Sequence, residues 1–146
     1  MRTQRVVLSL VAAIGIWFVA VGPAWAHHAF ASEFDASRPV KVHGTIVKVE
    51  WTNPHTWFHV DVKNKDGEVE RWLFEGGGPS ALIRRGFTKD FVKPGTELTI
   101  QGYMSKGTPR RANARVMQYA NGSELFVGSS GTGAPLDGKD ASEPKK

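Results

Sequence analysis

The feature that most limits the fold of this chain is an alternation of apolar and polar residues that recurs along its middle. Apolar side chains recur with a period of two in the segments 40–51 and 58–62, and Trp72 and Phe74 share one face of the segment 69–75. A period of two matches a β-strand with one buried face and does not match the longer repeat of an amphipathic helix. The chain is therefore predicted to fold mainly as β-sheet.

The first alternating segment contains a slip of one residue. Its inward face runs from Val40 to Ile46 and then resumes one position out of phase, from Val47 to Trp51. Such a slip is typical of a β-bulge, which bends a strand and increases its twist. The sequence therefore predicts a long first strand that curves around a small barrel.

Turn and helix signals set the order of the remaining elements. Asp66-Gly67, between two alternating segments, indicates a hairpin. Pro79 and Gly86 bracket a short helix, and two more strands are predicted at 98–102 and 115–120. Three strands, a helix and two strands is the order of the OB-fold. We therefore predict an all-β protein with one short helix, a small five-stranded OB-like Greek-key barrel, and leave other five-stranded barrels open.

The N-terminus has the three parts of a secretory signal peptide. Two arginines and no acids come first, an almost continuous apolar run follows from Val6 to Val21, and Ala24-Trp25-Ala26 supplies small residues for cleavage. The apolar run is shorter than the ~20 residues of a membrane-spanning helix. We therefore expect cleavage after Ala26, no transmembrane segment after processing, and a protein that is periplasmic or secreted.

These signals divide the chain into four segments. Residues 1–26 are the predicted signal peptide, residues 27–39 an extended N-terminal arm, and residues 40–127 the OB-like domain. Residues 128–146 are rich in glycine, serine and lysine, so we expect a disordered tail there.

Composition argues against several classes of function. The chain has no cysteine, which excludes disulfides, thiolate metal sites, cysteine nucleophiles and a lipid-bearing cysteine at the cleavage site. The net charge is +5, and removal of Arg2 and Arg5 with the leader lowers it to about +3, a mild excess. Export removes most of the case for nucleic acid as a partner. No catalytic triad or facing pair of carboxylates can be argued, so hydrolytic chemistry is unsupported. The sequence favours a binding module over an enzyme.

Several short motifs match a known family in their order and spacing. They are His27-His28-x-Phe30, Val49-Glu50-Trp51-x-Asn53-Pro54-His55, Trp72-x-Phe74-Glu75, Pro79-x-x-Leu82-x-Arg84-x-Gly86 and Lys93-Pro94-Gly95. On these motifs the chain resembles the DUF6152 family, a domain of unknown function in small exported bacterial proteins. Ala29 and His59 stand where a serine and an aromatic residue are common in that family. The resemblance implies an exported, barrel-like domain and brings no activity with it.

Three histidines are candidate metal ligands. After cleavage, His27 carries a free α-amine beside its imidazole, and these two nitrogens form a chelate that suits Cu(II). His55 is the strongest candidate for a third ligand, because a proline constrains its Asn-Pro-His loop. Alternatively, His28 completes a purely local complex. The alternative without a metal site is that the two histidines occur at the mature N-terminus by chance and that His55 only caps its loop by a hydrogen bond to the backbone.

A second hypothesis needs no metal. Its candidate residues are Trp51, Asn53, Trp57, Arg110 and Arg111. The two tryptophans flank the Asn-Pro-His loop. The arginines belong to a basic cluster, with Lys106 and Arg115, around the loop before the fifth strand, which often borders the ligand face of an OB-fold. Such a face would recognise an envelope protein or a glycan. Otherwise the loop is simply solvated, and Trp57 lies under the arm against Phe30 or Phe34.

Overall fold

The computed structural model of the protein describes residues 30–129 and 134–135. The predicted signal peptide, His27, His28 and most of the predicted tail lie outside these residues. Most of the described residues are in β-strands, which confirms the predicted fold class.

The described part of the chain contains six strands and the helix α1. They are β1 (Phe34–Trp51), β2 (Thr56–Lys63), β3 (Val69–Glu75), α1 (Pro79–Arg84), β4 (Glu97–Ser105), β5 (Arg111–Tyr119) and β6 (Glu124–Phe126). Residues 30–33, directly before β1, are also helical. No helix among these residues is both long enough and apolar enough to span a membrane.

Five of the strands close into a ring. The sheet has the order β3-β2-β1-β4-β5-β6 with antiparallel neighbours, and β3 also pairs with β5 in parallel. This parallel pair closes the ring, and α1 lies between β3 and β4 in the chain. Both features agree with the predicted OB-like order. The short strand β6 extends the sheet beyond β5 and adds to the five strands that the sequence predicts.

β1 has the predicted bulge. Its pairing with β2 shifts register between Ile46 and Lys48, which is where the sequence places the slip. The strand begins at Phe34 rather than at Val40, because Phe34 and Pro39 already pair with the end of β4. The second half of the predicted N-terminal arm is thus part of β1.

The apolar core fills the inside of the ring. Phe58 and Phe74 are cross-strand partners on β2 and β3, both fully buried, and Leu82 of α1 packs in the same cluster. Phe87, just after the helix, lies next to Phe58 and Trp51, with ring centroids 5.9 and 5.8 Å away. The helix therefore contributes to the core, and Trp51 packs against that core.

The predicted basic loop does not form a single basic surface. β5 begins at Arg111 rather than at Arg115, because its first residues pair with β3. Arg115 is therefore inside the strand and only 4% exposed, with its guanidinium carbon 5.1 Å from the centre of the Phe126 ring. Arg115 lies in the fifth strand, as the sequence predicts, but inside it rather than at its start, because the parallel pair extends β5 back to Arg111.

Candidate functional site

A partly buried polar network lies on the outer face of the ring, opposite the core. Trp57, Glu75 and Asn113 are cross-strand partners on β2, β3 and β5, so they form a row across three strands. The alternation that points their neighbours on β2 and β3 into the core directs Trp57 and Glu75 outward. Residues 30–34, at the start of the described chain, pack over this row.

His55 lies at the edge of this row, in the loop between β1 and β2. The Thr52 hydroxyl donates a hydrogen bond to the carbonyl oxygen of His55 (3.0 Å) and so holds the loop. Nδ1 of the imidazole is 3.3 Å from the carbonyl oxygen of Gly76 and 3.2 Å from Oε1 of Glu75. Both neighbours are acceptors, so in the neutral ring Nδ1 carries the proton and Nε2 keeps its lone pair.

The glycines after β3 allow this loop to approach closely. A Cβ on Gly78 would lie 2.8 Å from the carbonyl oxygen of Pro54, closer than real Cβ atoms come to a backbone oxygen. The backbone N–H of Thr56 donates to the Gly77 carbonyl (3.1 Å), and that of Gly76 donates to the Thr56 carbonyl (2.8 Å). The run of three glycines therefore serves close packing under the His55 loop.

Glu75 connects His55 to Arg111. Its side chain is 9% exposed, with Oε1 facing His55 and Oε2 3.0 Å from Nη2 of Arg111. The same Nη2 lies 2.8 Å from Oε2 of Glu33. With His55 neutral, two carboxylates and one guanidinium leave one net negative charge, which favours a cation at this position.

The guanidinium of Arg111 lies between two aromatic rings. Its central carbon is 5.0 Å from the centre of the Trp57 ring and 5.8 Å from that of the Phe34 ring. Such cation–π contacts are worth about 0.5–2 kcal/mol each, more where water is excluded. Trp57 is consequently half-buried, with Arg111 between it and the N-terminal arm.

A small cavity lies among these residues. Its volume is about 60 Å³, and its lining includes Phe30, Glu33, His55, Glu75 and Asn113. Asn113 is 6% exposed, and its Nδ2 donates to the carbonyl oxygen of Glu75 at 3.5 Å. Its buried Oδ1 has no hydrogen-bond partner among the residues that the structure describes. An unpaired buried acceptor costs about 1–3 kcal/mol, so the cavity suits a ligand that brings a donor.

A larger cleft of about 300 Å³ lies between β1, β4 and β5. Its polar lining includes Lys41, Gln101 and Tyr103. Among the described residues that line it there is no histidine and no carboxylate. This cleft therefore lacks the ligands that the sequence predicts for a metal.

The described residues do not make a complete metal site by themselves. Within residues 30–129 and 134–135, no group of three histidine, aspartate or glutamate side chains is arranged to hold an ion. A metal beside His55 would need further ligands, and His27 and His28 lie outside the described residues. Phe30, which lines the cavity, is three positions after His27.

The residues of the predicted partner face lie in different environments. Trp51 packs against the core, and Asn53 is exposed in the β1–β2 loop, where its peptide bond to Pro54 is cis. Arg110 is exposed and lies 3.4 Å from Glu70. The structure brings together only two members of this predicted set within the described network, Trp57 and Arg111.

Sequence reasoning missed Glu33, Glu75 and Asn113 as members of a site. Glu75 carries a weak signal, since it alternates outward directly before the glycine run. Glu33 and Asn113 carry no such signal in the sequence. Glu33 comes near His55 only through the docked arm, and Asn113 only through the parallel pairing of β3 with β5.

The other two described histidines have partners of their own. Nε2 of His59 is 2.9 Å from Oε1 of Glu50, and Nδ1 of the exposed His43 is 3.3 Å from the Thr99 hydroxyl. Hydrogen bonds from Lys48 and then from His59 hold the pKa of Glu50 below its ordinary value. These contacts lie on β1, β2 and β4, and none of these residues lines the cavity beside His55.

Comparison with known proteins gives a family and no activity. Residues 16–113 match the family of unknown function (DUF6152). No curated protein matches the chain. The matched range contains His55, Glu75, Arg111 and Asn113.

Proposed function

The chain belongs to this family of unknown function, and we propose that it is an exported binding module that holds one Cu(II) ion between His27 and His55. The observation that carries the proposal is the setting of His55. Its Nδ1 faces the Glu75 carboxylate and the Gly76 carbonyl, and no hydrogen bond among the described residues involves its Nε2. Histidines that bind metals usually donate their other ring N–H to a carboxylate or a carbonyl in this way.

The N-terminus of the processed chain is within reach of this histidine. Phe30 and His55 line the same cavity. His27 is three positions before Phe30, and an extended chain spans ~3.3 Å per residue, so His27 can reach up to about 10 Å from Phe30. The length of the arm therefore permits His27 to approach the Nε2 of His55.

The charge and the polar atoms around the cavity suit a cation with amine ligands. Glu33, Glu75 and Arg111 together carry one net negative charge. The buried Oδ1 of Asn113 can accept a hydrogen bond from an α-amine or from a metal-bound water. Both features stabilise a cation that is held by neutral nitrogen ligands.

Cu(II) is the ion that this ligand set favours. An α-amine and two imidazoles supply three nitrogens, and Cu(II) prefers a tetragonal arrangement of nitrogen and oxygen ligands. Cu(II) also binds nitrogen ligands more tightly than the other divalent ions of its row.

The alternative is a metal-free domain that recognises an envelope protein or a glycan. That hypothesis relies on exposed aromatic rings near the arginines. Trp51 packs against the core, and Trp57 is half-buried beside Arg111. Because these rings are partly covered, the metal-binding proposal has the stronger support.

Export is part of the same proposal. The free α-amine of His27 exists only if the leader is cleaved after Ala26, which would place the protein in the periplasm or outside the cell. N-terminal sequencing of the exported protein should therefore begin at His27. A protein that keeps its leader would contradict both the export and the amine ligand.

A Cu(II) titration tests the proposal. The processed protein with a verified His27 start should bind one equivalent, and His55→Ala should weaken binding by more than about 100-fold, since changes in supporting residues alone cost 10- to 100-fold. Acetylation of the His27 α-amine should weaken binding comparably, because it removes the lone pair with which that nitrogen coordinates the ion. His43→Ala is the matched control, since His43 is exposed and bonded to Thr99.

Two results would overturn the copper site. Affinity that is indifferent to His55→Ala would reduce the N-terminus to a local His27-His28 chelate. Affinity that survives acetylation of the His27 nitrogen would remove the α-amine from the ligand set. Tighter binding of Zn(II) than of Cu(II) would leave the ligand set in place but assign the site to Zn(II).

A further inference from the structure

The N-terminal arm is held on the ring by two kinds of contact. The first is apolar: Phe30 is buried, with its ring 5.6 Å from those of Phe34 and Tyr103. Hydrogen bonds to backbone carbonyls of the arm also contribute. The backbone N–H of Lys106 donates to the Glu33 carbonyl (2.9 Å), and the Nζ of Lys106 donates to the Ala31 carbonyl (2.5 Å). These contacts anchor the arm but do not involve His55.

The second kind of contact is polar and leads directly to His55. One nitrogen of Arg111, Nη2, lies 2.8 Å from Glu33 of the arm and 3.0 Å from Glu75 of β3. The other oxygen of Glu75 lies 3.2 Å from Nδ1 of His55. The chain of contacts from the arm to the imidazole is therefore Glu33, Arg111, Glu75 and His55.

We propose that Arg111 is a positioning residue that couples docking of the N-terminal arm to the orientation of His55. The coupling to metal rests on the function proposed above; the docking of the arm does not. Nη2 of Arg111 pairs with the carboxylates of both Glu33 and Glu75, which would repel each other without the positive charge between them. Without it, Glu75 becomes a buried, uncompensated charge, and the arm loses both its ion pair and the stacking of Phe34.

This coupling has a thermodynamic consequence. If the metal binds only when the arm is docked and His55 is oriented, then the metal must also favour the docked arm by the same factor. Cu(II) should therefore lower the fraction of molecules with the arm open, and any change that releases the arm should weaken Cu(II) binding. Arg111 is not a ligand in the proposed set, so its effect is carried through Glu33 and Glu75.

The shape of the arginine matters as well as its charge. A planar guanidinium can stack between Trp57 and Phe34 while one of its nitrogens serves two carboxylates. A lysine keeps the charge but has no flat face to place between the rings. Arg111→Lys should therefore restore part of what Arg111→Gln loses.

The first test uses the metal-free protein. Hydrogen exchange of residues 31–38 should be about 10-fold faster or more in Arg111→Gln, with exchange in the core strands unchanged, and intermediate in Arg111→Lys. Arg71→Gln is the matched control, because Arg71 is an exposed arginine paired with Asp61 on the same β2–β3 pair. Arm exchange equal to that of the wild type in Arg111→Gln would overturn the proposal.

The second test adds Cu(II) to the same proteins. Arg111→Gln should bind about 10- to 100-fold more weakly than the wild type, as expected for a supporting residue. Cu(II) should slow arm exchange in the wild type and much less in the variant. If Arg111→Gln frees the arm but binds Cu(II) as tightly as the wild type, the coupling is wrong and the copper site stands. If the wild type itself binds no Cu(II) at His55, the proposed function fails while the role of Arg111 in docking stands.

Discussion

Where the start of β2 pairs with the end of β3, both faces of the two strands are covered, but by different kinds of contact. On the inside, Phe58 and Phe74 pack in an apolar cluster that needs no partner of opposite charge. On the outside, Trp57 and Glu75 are covered by Arg111 and by the N-terminal arm. The same two strands therefore carry a structural face and a face suited to binding.

The Phe58–Phe74 pair and the ion pairs of Arg111 differ in how far apart their partners lie along the chain. Phe58 and Phe74 are neighbours across one hairpin, whereas Arg111 meets Glu33 across 78 positions and Glu75 across 36. A face assembled from distant segments can open without unfolding the ring. Substitutions on the inner face should consequently destabilise the whole fold. Substitutions on the outer face should affect the docking of the arm and the affinity for Cu(II).

The largest effect is expected inside the ring. Phe58→Ala removes a fully buried ring that packs on Phe87, and it should lower the free energy of unfolding by about 3–5 kcal/mol. Chemical denaturation measures this loss. Val69→Ala, at a side chain that is 59% exposed, should change it by less than about 0.5 kcal/mol. A loss below about 1 kcal/mol for Phe58→Ala would contradict the conclusion that the inner face carries the stability of the fold.

A smaller loss of stability and a larger loss of binding are expected outside. Glu75→Gln keeps the shape of the side chain but removes the charge that pairs with Arg111 and faces His55. Unfolding should become easier by about 1–3 kcal/mol, while Cu(II) affinity falls about 10- to 100-fold. Denaturation and titration on one preparation separate the two effects, with Glu68→Gln in the exposed hairpin as control. Unchanged Cu(II) affinity would show that Glu75 does not orient the ligand.

The smallest effect concerns Glu50, on the outer face beside Trp57 but away from the arm. Hydrogen bonds from Lys48 and His59 lower its pKa in the folded protein. A lowered folded pKa gives stability that is present above the ordinary value of 4.5 and is lost as the pH falls through the folded value. The stability difference between the wild type and Glu50→Gln should therefore shrink as the pH falls below 4.5. A difference that stays constant with pH would contradict the assigned cause.

The inner face could be predicted from the sequence because its signals are local. Alternation around Phe58, the slip after Ile46 and the turn at Asp66-Gly67 each act over a few residues, and each is found in the structure. The helix from Pro79 to Arg84 follows its predicted bounds closely for the same reason.

The outer face could not be predicted in the same way. The parallel pair that draws Arg111 into β5 joins strands far apart in the chain, and alternation gives no sign of it. The meeting of Arg111 with Glu33 depends on where the arm docks, which no local pattern encodes. The sequence singles out His55 as a candidate because a proline constrains its loop, whereas its contact with the Glu75 carboxylate depends on the fold.

The central claim is that the N-terminus and the His55 loop meet at one Cu(II) ion. Pulsed electron paramagnetic resonance on the processed, Cu(II)-loaded protein counts the coordinated imidazoles through their remote nitrogens. Two imidazoles are predicted for the wild type and for His28→Ala, and one for His55→Ala. A His55→Ala spectrum identical to that of the wild type would contradict the claim, because the ion would then be held by the N-terminus alone.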